Sequence, residues 1–331
     1  MRWLGIDGGG TKTAFTVYDE KLGALARTTL GTCHYAQVGF DGCARVLDEG
    51  IEQARATGLL GKEFGIGVGL CGYGEGAEAT ERLNRLVAEA AGERPYALVN
   101  DVEAAWAAGL GLADGIVIIA GTGSIAYGVC RGRTRRCGGW DYELGDEGSG
   151  GWLGKELLYA FTRESDGRAP AGPLLELVRA ELGLSDDFDL IAFAQEHMAD
   201  RSRIAALAPL VTRAAEAGDT CAHDILERAA REEATMVRAI VRDIFEGPGG
   251  SEAETGARDT DGGAEGRGAV DGAAGQAATI PVTYVGGTFQ AGPLILEPLA
   301  RALPARCRLV PPEREPDLGA VLILRKRLGA A

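Results

Sequence analysis

Leu4-Gly5-Ile6-Asp7-Gly8-Gly9-Gly10-Thr11-Lys12-Thr13, running on into Ala14-Phe15-Thr16-Val17-Tyr18, decides how this chain reads. An apolar strand ends in a glycine turn, and a β-branched, aromatic strand leaves it. Ile116-Val117-Ile118-Ile119-Ala120-Gly121-Thr122-Gly123-Ser124, followed by Ile125-Ala126-Tyr127-Gly128-Val129, repeats the pattern. Glycines let backbone N–H groups approach an anion closely, and Thr and Ser add hydroxyl donors. One such turn is an ordinary hairpin signal. Two matched turns, about 110 residues apart, point to an internal duplication whose halves face each other with a polyphosphate between them. Gly8, Gly9, Gly10, Thr11, Lys12 and Thr13 are the candidates in the first turn; Gly121, Thr122, Gly123 and Ser124 are those in the second.

Other phosphate motifs do not fit. A Walker A loop places Lys directly after its second glycine and then enters a helix. Here Thr11 precedes Lys12 and a strand follows. A dinucleotide fingerprint also needs a helix after its glycines.

The chain has 331 residues, 46% of them hydrophobic, a length and composition that predict two domains with sizeable cores. Its net charge of −14 argues against nucleic acid as a partner. No apolar run is long enough for a membrane span or a signal segment, because Asp7 interrupts the first one. Seven cysteines without a C-x-x-C pair read as reduced thiols in a cytoplasm, and zinc-ligand spacing is missing.

Residues 3–7, 13–19 and 24–30 read as a three-stranded meander, and 41–57 as a helix with Val46, Leu47, Ile51 and Ala54 on one face. A strand from Phe64 to Leu70 ends at Cys71-Gly72-Tyr73-Gly74. A helix over 77–91, a strand Tyr96–Val99 and an Ala-rich helix over 102–110 complete a mixed α/β unit. The second hairpin opens another unit, with a helix at about 151–163 and mostly helical sequence over 171–245. Residues 247–279, rich in Gly, Ala, Asp and Glu, are expected to form a disordered surface insertion. A strand Pro281–Val285, Gly286-Gly287, a helix over 291–302, a strand Cys307–Val310 and a last helix Asp317–Leu328 close the chain.

Phosphoryl transfer needs phosphate donors, a metal, a base and an acceptor pocket. Asp7, at a strand end beside the first turn, is placed to orient Mg²⁺ through water, or simply to stabilise the turn. Asp101 follows a strand and opens a helix. There a carboxylate faces the crevice of an α/β sheet and can accept a proton, although Asp also serves as a helix cap. Asp146 and Glu147, between glycines at a helix start, can meet sugar hydroxyls or cap the helix. Trp140 can pack on a sugar face or fill core. Gly286 and Gly287 would admit an adenine ring, or form a tight turn.

The order Asp-Gly-Gly-Gly-Thr-Lys-Thr, Asn-Asp, Gly-Thr-Gly-Ser, Gly-Gly-Trp-x4-Gly-Asp-Glu-Gly-Ser and a late Gly-Gly resembles the N-acetylglucosamine kinase group. That group lies in the BadF/BadG/BcrA/BcrD ATPase family of actin-like sugar kinases. The resemblance implies an α/β chain of two ribonuclease-H-like domains around a hinged cleft. Residues 1–112 plus 317–331 would form the first domain and 113–316 the second. It implies ATP and Mg²⁺, Asp101 as catalytic base, Gly286 and Gly287 at the adenosine, and a cytoplasmic homodimer acting on a small amino sugar. His34, Tyr35, Gly72, Asn100, Asp101, Trp140, Asp146 and Glu147 would surround that sugar. N-acetylglucosamine is the leading acceptor, with glucosamine or N-acetylmuramate as alternatives. The pattern departs at His34, where relatives usually carry Asn, and at Asp141, which replaces a small residue. An ATPase activator of a radical dehydratase, from the same family, would need cysteine ligands for an iron–sulfur cluster. No cysteine follows the second glycine-rich turn as those activators have it. A sugar-sensing repressor would be expected to carry a helix-turn-helix ahead of Asp7.

Overall fold

The computed structural model of the chain describes residues 1–247 and 279–329. Apart from its two end residues, the expected insertion at 247–279 lies outside the described residues. The first half runs β1 (Arg2–Gly8), β2 (Lys12–Tyr18), β3 (Ala24–Gly31), α1 (Tyr35–Ala56), β4 (Phe64–Leu70), α2 (Ala77–Ala91), β5 (Tyr96–Asn100) and α3 (Asp101–Leu110). The second half runs β6 (Gly115–Ala120), β7 (Ser124–Cys130) and β8 (Arg133–Gly138). Helices α4 (Gly150–Ser165), α5 (Pro173–Leu182), α6 (Asp189–His197), α7 (Arg201–Ala205), α8 (Ala208–Glu216) and α9 (Thr220–Ile240) follow. It ends with β9 (Ile280–Val285), α10 (Pro293–Ala302), β10 (Cys307–Leu309) and α11 (Pro316–Arg327). No helix among the described residues is long and apolar enough to cross a membrane.

The sheets have the orders β3-β2-β1-β4-β5 and β8-β7-β6-β9-β10, which are the same topology used twice. In each, the first strand pairs antiparallel with the second and parallel with the fourth. The duplication suggested by the two turns therefore extends to the whole sheet order. The halves differ in what lies between the third and fourth strands: a single helix in the first, α4 to α9 in the second. That helical layer packs Leu157, Phe161, Val237 and Ile240 onto Ile116 and Ile118.

Strand β4, Phe64-Gly-Ile-Gly-Val-Gly-Leu70, shows how sequence sets the layers. Side chains alternate across a strand. One face offers Phe64, Ile66, Val68 and Leu70 to Leu4, Ile6, Leu47 and Leu83. The glycine face lets helices approach. A Cβ at Gly67 would overlap the backbone of Ala320 and Val321, and one at Gly319 would overlap the carbonyl of Ala104. Helices α3 and α11 thus pack in backbone contact. Val99, Trp106, Val117, Val129, Ala320 and Ile323 form one buried cluster reaching both sheets. Asp317, fully buried, ties α11 to the meander. It accepts hydrogen bonds from the Thr16 hydroxyl and, at 2.8 Å, from the Tyr18 hydroxyl, and Arg27 stands 3.7 Å away.

Two elements depart from expectation. Helix α1 starts at Tyr35 rather than 41, with a break at Gly39 (φ 70°), so much of the anticipated loop after β3 is helical. Strand β8 was not anticipated. Its Arg133-Thr-Arg-Arg sequence has no apolar alternation because it is an edge strand, where charged side chains discourage further pairing.

The α3–α11 contact predicts the response to bulk. Gly319→Val should lower stability by about 2–3 kcal/mol or more, because neither backbone can yield without moving its sheet. Urea unfolding measures this; a loss under about 0.5 kcal/mol would show the helix contact to be slack.

Candidate active site

The two glycine turns meet. The hydroxyls of Thr11 and Thr122, 111 positions apart in sequence, lie 3.1 Å from each other. Each turn is closed by its own backbone, Gly9 N–H to Lys12 O at 3.0 Å and Gly121 N–H to Gly123 O at 2.9 Å. The first turn is braced by Thr32, whose hydroxyl donates to Gly9 O at 2.9 Å, and by Gln37, whose amide donates to Gly10 O at 2.9 Å. Any side chain at Gly8 would strike Cys33 and Leu70. The second turn rests on the start of α4, where Gly150 N–H donates to Gly121 O at 2.7 Å. Lys12 and Thr11 are exposed at the mouth. Thr13 and Ser124 are not free as hydroxyl donors. Thr13 donates to Gly31 O at 2.9 Å and Ser124 to Glu147 O at 2.7 Å, both from buried positions. What these two residues leave to offer an anion is their backbone.

Below the turns, carboxylates gather. Asp7 pairs in register with Gly69 of β4, and Gly69 lies against Ala104 and the Cα of Asp101 at the start of α3. Burial, with Asp101 and Asp317 nearby, pushes the Asp7 carboxyl up to about 7 against the pull of Arg27 and Lys12. Burial likewise raises Asp101 to about 6, opposed by hydrogen bonds from Val102 N–H and the Cys71 thiol. The helix cap is Asn100, not Asp101. The Asn100 side chain accepts from Val102 N–H at 3.0 Å and donates to Tyr73 O at 2.6 Å. Both ends of Asn100 are thus engaged in holding the β5–α3 turn, and Asp101 Oδ1 shares the Val102 N–H at 3.0 Å.

His34, Tyr35 and Gly72, expected at the acceptor, come together. A Cβ on Gly72 (φ +81°) would stand 2.9 Å from Tyr35 and 3.0 Å from His34 Nε2. Burial and the nearby Arg201 depress the His34 imidazole below its usual range, against the opposing pull of Glu75 and Asp141. Its Nδ1 is buried without a hydrogen-bond partner among the described residues. Trp140 is 73% exposed on the loop leaving β8. Asp146 is buried, with positive φ, and accepts from Ser124 N–H; its carboxylate lies against Gly123. It therefore shapes the second turn, whereas Glu147 is exposed.

Glu75, Arg136 and Arg201 also belong to this region and had no signal in the sequence. Arg136 reaches from β8 to Glu75 at 2.9 Å, joining the two halves. Arg201, at the start of α7, meets Asp141 at 3.0 Å and faces Gly10 across the cleft. Gly286 (φ +126°) backs the second turn, where a Cβ would stand 2.8 Å from Gly121 N, while Gly287 faces open space. Beside them Tyr284, Val285, Phe289, Gln290, Pro312 and Arg314 line a cavity of about 270 Å³.

The chain is similar to known sugar kinases in sequence and fold. The chain is 32% identical to an N-acetylmuramic acid/N-acetylglucosamine kinase of Clostridium acetobutylicum, over 72% of this chain and 78% of that one. It is also 32% identical to an N-acetyl-D-glucosamine kinase of Dictyostelium discoideum, over 73% and 80%. A solved structure from Chromobacterium violaceum, provisionally named an N-acetylglucosamine kinase, superposes with a TM-score of 0.69 at 26% identity, covering 98% of both chains. A ROK family glucokinase of Streptomyces griseus shares the fold, with a TM-score of 0.55 at 17% identity over 99% of both chains. These likenesses bear out the actin-like α/β fold expected from the sequence. The BadF/BadG/BcrA/BcrD ATPase family model matches residues 4–255, and the chain belongs to that family.

Proposed function

We propose that this protein is an ATP-dependent sugar kinase that phosphorylates an amino sugar, with N-acetylglucosamine to N-acetylglucosamine 6-phosphate as the leading reaction. The observation that carries the reading is the pair of glycine turns meeting at Thr11 and Thr122 above the strand-end carboxylates Asp7 and Asp101. Residues 1–112 with 317–331 form one lobe and 113–316 the other. The packing of α11 on α3, β1 and β4 supports that division.

The phosphate chain lies between the turns and meets their N–H groups and Lys12, and the adenosine lies in the cavity beside Gly286. The crowding of Asp7 with Asp101 and Asp317 suits a hard cation, because each carboxylate raises the cost of ionising the next. Mg²⁺ bound there would neutralise charge developing on the transferred phosphoryl group. Asp101 accepts the proton of the attacking sugar hydroxyl. Its raised pKa brings it nearer neutrality, where a base is both ionised and basic enough to help. His34, Tyr35 and Gly72 from the first lobe, with Trp140 and Glu147 from the second, bound the acceptor. Asp146 shapes the turn beside it, and the Glu75–Arg136 pair favours the closed cleft that excludes water from the phosphate.

Asp101→Asn should retain fold and ATP binding and lose about 10²–10⁴-fold in kcat. In the wild type, kcat/KM should plateau at neutral pH and fall about tenfold per pH unit below about 6, as Asp101 takes up its proton. A folded Asp101→Asn protein with near-normal turnover would remove Asp101 from the base role.

Coupled ADP release across N-acetylglucosamine, glucosamine, N-acetylmuramate and glucose tests the reaction itself. N-acetylglucosamine should give the highest kcat/KM, and product analysis should place the phosphate on the 6-hydroxyl. A protein inactive with every amino sugar would refute the kinase reading.

A further inference from the structure

The helical layer of the second half holds a polar cluster that phosphoryl transfer would not use. Glu164, in the last turn of α4, meets Asp219 and Cys221 at the start of α9. Donor atoms of the three lie within 4.8 Å of one another. The cluster is remote from the loop that opens α4, since Glu164 stands about 20 Å along that helix at 1.5 Å per residue. Glu164 is 4% exposed and Asp219 is 1% exposed. Among the described residues neither carboxylate takes part in an ion pair.

What holds the carboxylates is backbone. Gly172 N–H donates to Glu164 Oε2 at 2.9 Å, and Leu174 N–H donates to Asp219 Oδ2 at 2.9 Å. Ala222 N–H donates to Asp219 Oδ1 at 2.9 Å. A Cβ at Gly172 would stand 2.2 Å from Asp219 Oδ2, so a glycine is what lets the start of α5 close on the pair. Capping of α9 accounts for Asp219. It does not account for Glu164, which caps nothing and whose Oε1 is buried without a hydrogen-bond partner among the described residues. Buried carboxylates are normally paired with a cation or bound to a metal. Cys221 also lines a cavity of about 300 Å³ with Ala160, Thr220 and Ile225. Arg228, at its border, is already engaged by Glu156 and Asp224, each at 2.8 Å.

We propose that Glu164, Asp219 and Cys221 form a binding site for a borderline-soft divalent cation, of which Zn²⁺ fits best. Two carboxylate oxygens and a thiolate suit zinc, whereas Mg²⁺ and Ca²⁺ demand six or more oxygens. Tetrahedral zinc spaces such donors about 3.4–3.6 Å apart, a closure that side-chain rotation supplies here. Water from the cavity takes the fourth position. Binding releases the Cys221 proton to solvent, because the thiolate is the ligand. The N–H groups of Gly172, Leu174 and Ala222 then serve as the outer shell that orients ligating carboxylates. The ion joins the end of α4 to the starts of α5 and α9, and so stiffens the layer packed on Ile116 and Ile118. Neither this site nor the kinase reading depends on the other.

The full chain, stripped with EDTA and dialysed, is titrated with Zn²⁺ and separately with Co²⁺. Wild type should take up a single Zn²⁺ per chain. Its Tm should rise by about 3 °C or more when free zinc exceeds Kd about a hundredfold. Co²⁺ should give a thiolate-to-metal charge-transfer band. Cys221→Ser should abolish that band. Glu164→Gln should weaken zinc binding about 100-fold or more, beyond the usual loss for an outer-shell partner. If Cys221→Ser fails to fold, wild type carries the test: zinc should protect Cys221 from iodoacetamide, read on its own peptide by mass spectrometry. A wild type that binds no zinc above the dialysis background would overturn the proposal. So would a cobalt band that survives in Cys221→Ser, or alkylation of Cys221 that zinc leaves unchanged.

Discussion

The backbone contact between α3 and α11 is the constraint on which the rest depends. Both helices lie between the sheets, and each glycine that permits their approach removes a layer of side chain. The first residue of α3 is Asp101, so the position of the candidate base is set by how deeply α3 sits on β4. Asp317, in the first turn of α11, fixes the other helix to β2 and β3 through Thr16, Tyr18 and Arg27. Bulk added between these helices would shift Asp101 relative to the turns before it unfolded either lobe. Loss of catalysis ahead of loss of stability is the expected order, because phosphoryl transfer depends on placement within fractions of an ångström.

The same packing concentrates negative charge. Asp7, Asp101 and Asp317 are brought together in a protein that is already acidic overall, and burial raises the first two. A site that must ionise two carboxylates near neutrality works against its own desolvation. The structure divides the compensation: Arg27 neutralises Asp317, Lys12 faces Asp7, and Cys71 and Val102 donate to Asp101. What remains uncompensated is what a cation bound between the turns and carboxylates would supply.

Much of this was legible in sequence because it is local. Glycine turns after apolar strands, a carboxylate at a strand end and the alternating glycines of β4 all depend on near neighbours. The facing of the two turns followed from the repeat. What was not legible depends on distance or on hydrogen-bond competition. Asn100 and Ser124 look like ligand donors, yet their polar groups are used by Tyr73 O, Val102 N and Glu147 O, partners no spacing announces. Strand β8 lacks alternation because only one of its edges is paired. Arg201 lies in a long helical tract whose periodicity identifies the buried face but not which exposed cation turns back toward residues 10 and 141.

That last failure bears on how acceptor choice is built. On the kinase reading proposed above, the nucleotide half of the cleft would be made of backbone: N–H groups, glycines and a helix start. Such a site tolerates sequence change as long as the turns keep their shape. On the same reading the acceptor half would be made of side chains, with His34 and Tyr35 from the first half of the chain and Trp140 and Glu147 from the second. Changing one of them would alter which sugar is held, whereas backbone donors to phosphate would be indifferent to it. On that reading, divergence in acceptor choice could accumulate at side-chain positions such as 34 without disturbing the use of ATP.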